Sequence, residues 1–315
     1  MPHTHHTHSG QFCAHATSTL ESVIQTAIAQ GITTLCTTEH IPRSSIDFYD
    51  EEVAENYTEE HLTNLFAAYH AEALRLRDKY SGQIKIFVGF EGEWIRPSTS
   101  TDIEELLTKY EFDLFVGSVH HMHTIPIDID VARYDLAKGH SGGTDEGLFL
   151  EYFVAQYEML TCLKPPLVGH FDLIRLKSPD PDVDFRSLPA VWLQILKNLE
   201  YIMSYGGVLE INSAAIRKGM REPYPQVAIL KSFDGMGGRC ALSDDSHGVE
   251  QVGLNYGRVL ECVRSAGIEG LWHLSTVGQG VERADSRFPR VGWRSVAIEE
   301  MEKHAFFTKQ NSPAG

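Results

Sequence analysis

Residues 1–15 read Met1-Pro2-His3-Thr4-His5-His6-Thr7-His8-Ser9-Gly10-Gln11-Phe12-Cys13-Ala14-His15 and carry five of the sixteen histidines in the 315-residue chain. Neutral imidazole is the commonest side-chain ligand of a transition metal. Side chains on an extended strand alternate between faces, so His6 and His8 share one face and His3 and His5 the other. An expression tag would be an unbroken histidine run, and threonines interrupt this one. The adjoining residues decide between tag and strand. From Thr17 to Gln30, Leu20, Val23, Ile24, Ala27 and Ile28 recur at helical spacing, with Ser18 and Glu21 as a capping box and Gly31 as the stop. Ile32–Thr37 then reads as a short buried strand ending at Glu39-His40. A histidine-bearing strand, a helix and a second strand ending in histidine form one βα unit.

The unit repeats along the chain. Helical patterns cover His61–Tyr80, Ile103–Tyr110, Gly147–Leu163, Pro189–Tyr205, Pro225–Phe233 and Val259–Ala266. Strand patterns cover Ile84–Phe90, Phe112–Val119, Leu167–Val168, Gly207–Ile211 and Arg239–Ser243, and Leu271–Ser275 closes the set. Residues 121–145, rich in Gly, Asp and His, read as a long loop. Alternating βα units predict a parallel sheet with helices outside. The expected fold is α/β, as one barrel over residues 1–298 with its site at the carboxyl ends of the strands, and a C-terminal tail over 299–315 that reads as a short helix followed by a disordered end.

Composition narrows the function. A formal charge of −16 argues against nucleic acid held on a broad basic face. No run reaches the ~18–20 apolar residues of a membrane span, and no secretory signal opens the chain. Five cysteines without a C-x-x-C pair suit reduced thiols. A cytoplasmic enzyme with a small-molecule substrate is expected, with no nucleic-acid or membrane partner, and nothing specifies an oligomeric state.

The chemistry-bearing residues sit at the strand ends: His6, His8, His15, His40, Glu91, His120, His170, Asp245 and His247. One such histidine alone is usually a hydrogen-bonded rim residue. Nine at one end of successive βα units form a metal centre, and a mixed His/carboxylate set suits Zn, Mn or Fe rather than Ca or Mg. Nine ligands exceed the three or four of a single catalytic zinc, so two or three divalent ions are expected, with Glu91 as the bridging carboxylate.

Taken in order, His6-Thr7-His8, Glu39-His40, Gly89-Phe90-Glu91, Gly117-Ser118-Val119-His120, Gly169-His170-Phe171-Asp172 and Asp245-Ser246-His247 resemble the motifs of the polymerase-and-histidinol-phosphatase (PHP) superfamily. Thr38-Glu39-His40-Ile41-Pro42-Arg43, Ile125-Pro126-Ile127-Asp128 and Leu209-Glu210-Ile211-Asn212 bring the resemblance closest to its fungal-type histidinol-phosphatases. It implies a distorted (β/α)7 barrel, a trinuclear site and hydrolysis of L-histidinol phosphate, a step of histidine biosynthesis, by attack of a metal-bridging hydroxide. By motif, His6, His8, Glu91 and Asp245 would hold one ion, Glu91, His120 and His170 a second, and His15, His40 and His247 a third.

Glu91, Asp245 and His247 are accordingly the catalytic candidates. Phosphate needs bidentate donors, and Arg175 and Arg217 stand where the resemblance places them, with Arg43 a third candidate. The leaving alkoxide would be neutralised by a metal, a water or an acid such as Asp128 or His247, and Asp128, like Glu93 and Asp47, could contact the substrate's amine. Glu39 and Asp172 would orient neighbouring histidines. His3, His5, His121 and His123 fall outside the set and are expected to be solvated or in loops, though His121 and His123 could line a substrate pocket. Because the first strand carries ligands, trimming past residue 5 should abolish the site.

Rival chemistries fit less well. Six residues separate Cys36 from Arg43, one too many for a phosphotyrosine-phosphatase loop, and no G-x-S-x-G elbow is present. Asp128-Ile129-Asp130 lacks the hydrophobic strand of a haloacid-dehalogenase-type nucleophile. Alternatives that remain are a PHP-type enzyme acting on another small phosphate ester, and an amidohydrolase-type C–N hydrolase, which shares the His-x-His opening and a late Asp.

Overall fold

A computed structural model describes residues 1–282 and 285–310. The strands are β1 (His3–Thr4), β2 (Thr34–Thr37), β3 (Lys85–Val88), β4 (Glu91–Glu93), β5 (Val116–Ser118), β6 (His121–Met122), β7 (Ile125–Pro126), β8 (Leu167–Val168), β9 (Val208–Asn212), β10 (Arg239–Ser243), β11 (Gly270–Thr276) and β12 (Val291–Ala297). Two sheets are all-parallel: β1-β2-β3, and β10-β9-β8-β5-β4. Isolated parallel bridges join Thr7 to Ser246 and His40 to Glu91. This is a mixed α/β fold. Every residue of β2, β4, β5, β8 and β9 is buried, as expected of strands covered on both faces.

Local sequence explains the elements. The first helix spans Leu20–Gln30. Thr19 Oγ1 accepts from the Ser22 amide, and Gly31 ends the helix at φ 89°. The cap is therefore Thr19 rather than Ser18, which has φ 70°. Leu20, Val23, Ile24 and Ala27 are fully buried by this helix; a Leu, Ile or Val so placed contributes about 1.5–3 kcal/mol. Glycine is required where strands approach their cover. A Cβ on Gly117 would lie 2.6 Å from Pro165, and one on Gly169 2.6 Å from Val116 Cγ1.

Three expectations need correction. Residues 121–145 are not a loop: β6 and β7 form a hairpin, and Val131–His140 is a helix whose N-cap Asp130 accepts from the Arg133 amide. Leu271–Ser275 does not close a parallel set, because β11 pairs antiparallel with β12. The short helix expected from Glu299 is two helices, Ile298–Glu302 and Ala305–Gln310, and Met301, Phe306 and Phe307 are buried in the common core. The end of the expected tail, 311–315, lies outside the described residues.

Candidate metal centre and active site

The strand ends deliver the expected histidines to one place. Glu91, at the start of β4, is at its middle. Its Oε2 lies 3.2 Å from His6 Nε2, 3.4 Å from His8 Nε2 and 3.0 Å from His40 Nδ1. Its Oε1 lies 3.0 Å from His120 Nε2 and 2.9 Å from His170 Nε2. Asp245 Oδ1 closes the group, 3.8 Å from His6 Nε2 and 3.5 Å from His8 Nε2. Two of these residues leave their strands with positive φ, His170 at 21° and Asp245 at 49°. Such backbone costs about 1–3 kcal/mol for a non-glycine residue and clusters where a side chain must be aimed at a site.

Donor atoms converge in four overlapping groups: His6/His8/Asp245, His6/Glu91/His170, His8/His40/Glu91 and Cys13/His15/His40/His247. Several nitrogens here lack hydrogen bonds although buried. His6 Nε2 and both ring nitrogens of His8 are within 3.2–3.6 Å of carboxylate oxygens but are not aligned with them. Buried polar atoms are rarely left so. Imidazoles and carboxylates converging without hydrogen-bond geometry fit a site for divalent transition cations.

Electrostatics agree. Burial opposes the charge on Glu91, yet His6, His120 and His40 outweigh it and hold the carboxylate well below its ordinary range. Burial likewise opposes charge on His120, but Asp128 and Glu91 raise it to about 10. His6 is raised by Glu91, Glu210 and Asp245 against the same desolvation. Without cations, the excess carboxylate charge is balanced by protons on histidines, and a bound metal would displace them.

A surrounding set of side chains orients these groups. Glu210 Oε1 accepts from His6 Nδ1 at 2.9 Å, and its Oε2 accepts from the His170 amide. Asp128 Oδ2 accepts from His120 Nδ1 at 3.1 Å. His40 Nδ1 is 2.6 Å from Glu93, which is gripped by both Arg43 Nη1 and the Tyr49 hydroxyl. Glu39 lies 3.6 Å from His8 Nδ1 and accepts from the Ser9 amide and hydroxyl.

A cavity of about 320 Å³ opens onto the cluster, lined by His15, His40, Tyr49, Glu91, His120, Asp128, Arg217, Asp245 and His247, with Glu51, Ile129, Lys218 and Gln251. Arg217 is anchored by Gln251 and the Asp245 carbonyl. Six of the cluster's donor residues line this cavity, and its size suits a small metabolite.

Several expected roles are corrected. Arg175 does not reach the cavity. It is 1 % exposed, pairs with Asp172 at 2.9 Å, and donates to the Pro181 and Pro223 carbonyls. Asp172 therefore serves Arg175 and the Gln226 amide, not a histidine. Arg43 does not line the cavity; it binds Glu93 and Glu52. Asp47 is occupied by Arg96. His3, His5 and His121 are buried rather than solvated. His5 Nδ1 donates to the Leu242 carbonyl and its Nε2 accepts from the Leu274 amide, and His121 stacks on Tyr49 at 6.0 Å. His123 is exposed as expected, though on a hairpin.

Sequence reasoning assigned no role to Glu210, Lys218, Tyr49 or Cys13. A carboxylate inside the apolar run Leu209-Glu210-Ile211 was a signal, since an unpaired buried charge would be costly there. The others carried none.

The PHP domain profile matches residues 4–214. The chain belongs to the PHP domain family. "Probable histidinol-phosphatase" of Schizosaccharomyces pombe is 44 % identical over 273 residues, covering 86 % of this chain and 89 % of that protein. Histidinol-phosphatase of Saccharomyces cerevisiae is 35 % identical, covering 82 % and 86 %. The solved histidinol phosphate phosphatase of Lactococcus lactis, complexed with zinc, L-histidinol and phosphate, shares the fold at TM-score 0.66 and 21 % identity, over 86 % of this chain and 95 % of that one. The family's matched region contains eight of the cluster's donor residues, Cys13 included, and Asp245 and His247 come from beyond it.

Proposed function

We propose that the chain is a metal-dependent phosphomonoesterase that hydrolyses L-histidinol phosphate to L-histidinol and phosphate. The observation that carries this is the cavity itself: a cluster of histidines and carboxylates at its floor, with cationic Arg217 and Lys218 and anionic Asp128 and Glu51 on its walls. The substrate has matching polarity, a phosphate at one end and a cationic amine with imidazole at the other. The 44 % identical yeast relative supports the substrate assignment.

Two or three ions of Zn, Mn or Fe would be held by His6, His8, His15, His40, Glu91, His120, His170, Asp245 and His247; bound there, they supply Lewis-acid charge and an activated water. The chain's own groups do the rest. Arg217 and Lys218 neutralise phosphoryl oxygens as charge redistributes in the transition state. Glu210, Asp128 and Glu93 fix the rings of His6, His120 and His40 so that their outer nitrogens face the centre. Asp128 and Glu51 attract the amine. Burial together with His8 keeps His247 below its ordinary pKa range, so it is neutral, as a metal-holding imidazole must be. The leaving alkoxide takes its proton from water admitted by the cavity.

The two parallel sheets support the seven-stranded barrel reading. With β3 and β4 counted as one interrupted strand, the bridges His40–Glu91 and Thr7–Ser246 link the sheets on both sides. Purified, metal-loaded protein should be assayed on L-histidinol phosphate, p-nitrophenyl phosphate and a hydantoin. Preference for the first by kcat/KM is expected. Turnover of the hydantoin alone would favour C–N hydrolysis and overturn the proposal.

A further inference from the structure

We propose that Cys13 is a thiolate donor to the third cation site, completing a four-donor set with His15, His40 and His247. This rests on the functional reading above only in requiring that the cluster bind metal.

The loop holding Cys13 is fixed from both ends. The Cys13 amide donates to the Ser9 carbonyl, the Ala16 amide to the Cys13 carbonyl, and the Thr17 amide to the His247 carbonyl. Gly10 is required in this loop, since a Cβ would lie 2.6 Å from the Ala16 carbonyl oxygen. The thiol is thereby buried, with Sγ 3.3 Å from His15 Nε2, which is itself 3.3 Å from His40 Nε2. All four donor atoms lie within 4.8 Å of one another. Bonds of ~2.0–2.1 Å to nitrogen and ~2.3 Å to sulfur give tetrahedral edges of about 3.3–3.6 Å, so the two measured edges match such a site.

Two of the rings present Nδ1 to other groups. His40 Nδ1 faces the Glu93 and Glu91 carboxylates, and His247 Nδ1 bonds the Asp245 carbonyl, which leaves Nε2 of each for a cation beside Cys13. No disulfide competes, since Cys13 is free. On binding, the S–H proton passes to solvent and the sulfur lone pair forms the metal bond; no oxidant is involved. A soft thiolate favours zinc, cobalt or ferrous iron over manganese. The third position should therefore differ in metal preference from the all-His/carboxylate positions beside Glu91.

Cobalt(II) titration of chelator-stripped full-length protein tests this. A sulfur-to-cobalt charge-transfer band in the near ultraviolet should grow with one equivalent out of three. It should vanish in Cys13→Ser and persist in Cys162→Ser. Cys13→Ser should bind that ion about 10–100-fold more weakly. Should Cys13→Ser not fold, alkylation of the wild-type thiols mapped by mass spectrometry replaces it: zinc should protect Cys13 selectively. No band, a band surviving in Cys13→Ser, only two ions bound, or Cys13 unprotected by zinc would each overturn the proposal. Hydrolysis of L-histidinol phosphate without the band would overturn the thiolate alone, and the band without hydrolysis would overturn the functional reading alone.

Discussion

Arg175→Met separates the sequence's account of this arginine from the structure's. By motif, Arg175 binds phosphate; in the fold it is a buried tie. Its Nε donates to Asp172 at 2.9 Å and its other nitrogens to the Pro181 and Pro223 carbonyls. Methionine keeps the volume but strands Asp172, which is fully buried and whose other side-chain partner among the described residues is the Gln226 amide. Breaking a buried ion pair from one side costs about 3–5 kcal/mol. Two carbonyls losing donors add to this, though not additively. With about 4 kcal/mol lost and a urea m-value near ~3 kcal/mol/M for a chain of this size, the midpoint should fall by roughly 1 M. Urea unfolding followed by far-ultraviolet circular dichroism measures it, and steady-state kinetics on the folded fraction completes the test. Expected is a large stability loss with KM for L-histidinol phosphate nearly unchanged in the protein that remains folded. A stable variant with a strongly raised KM would refute the structural assignment and restore Arg175 as a phosphate ligand.

Arg217→Met should do the opposite, keeping stability within about 1 kcal/mol while kcat/KM falls about 10²–10³-fold, as for loss of one transition-state donor; unchanged kinetics would remove it from the site. Glu210→Gln preserves shape but removes the charge that orients His6, so metal retention against a chelator should weaken about 10–100-fold with the fold intact, as metal analysis after dialysis would show. His5 supplies a pH signature. Burial holds its pKa down to about 3, and its two ring nitrogens are satisfied only in the neutral form. The unfolded chain, with a pKa near ~6.5, takes up the proton first, so this stability is intact above that value and is lost as pH falls toward about 3. Between pH 7 and 5 the native protein should lose about 2 kcal/mol more than His5→Gln, measured by denaturant unfolding at each pH; parallel curves would contradict the burial argument.

Much of the fold was legible because its signals are local. Arg239–Ser243 reads as a strand and is one, and Pro189–Tyr205 begins and ends where Pro189 and Gly206 place it. The helix Val131–His140 was hidden because its only firm marker is the Asp130 cap, in a segment flanked by glycines and aspartates. β12 was unreadable for a different reason: its pairing with β11 is set by tertiary contact. The candidate metal ligands were visible as residue types at strand ends, a position the backbone fixes. Side-chain direction beyond the strand was not. Arg175 follows its strand as closely as a phosphate ligand would, but the 3₁₀ turn Leu173–Lys177 takes it under the site rather than into it. His3 and His5 show the same limit. Period two put them opposite His6 and His8, yet a strand covered on both faces has no solvent side.

The central claim is that the strand-end cluster hydrolyses a phosphate ester through bound divalent ions. Phosphate release from L-histidinol phosphate should be followed while metal is titrated into chelator-stripped protein and counted per chain. The account predicts no release from stripped protein and recovery in step with bound metal, saturating at two or three ions; release that persists without metal, or never returns with it, would contradict it.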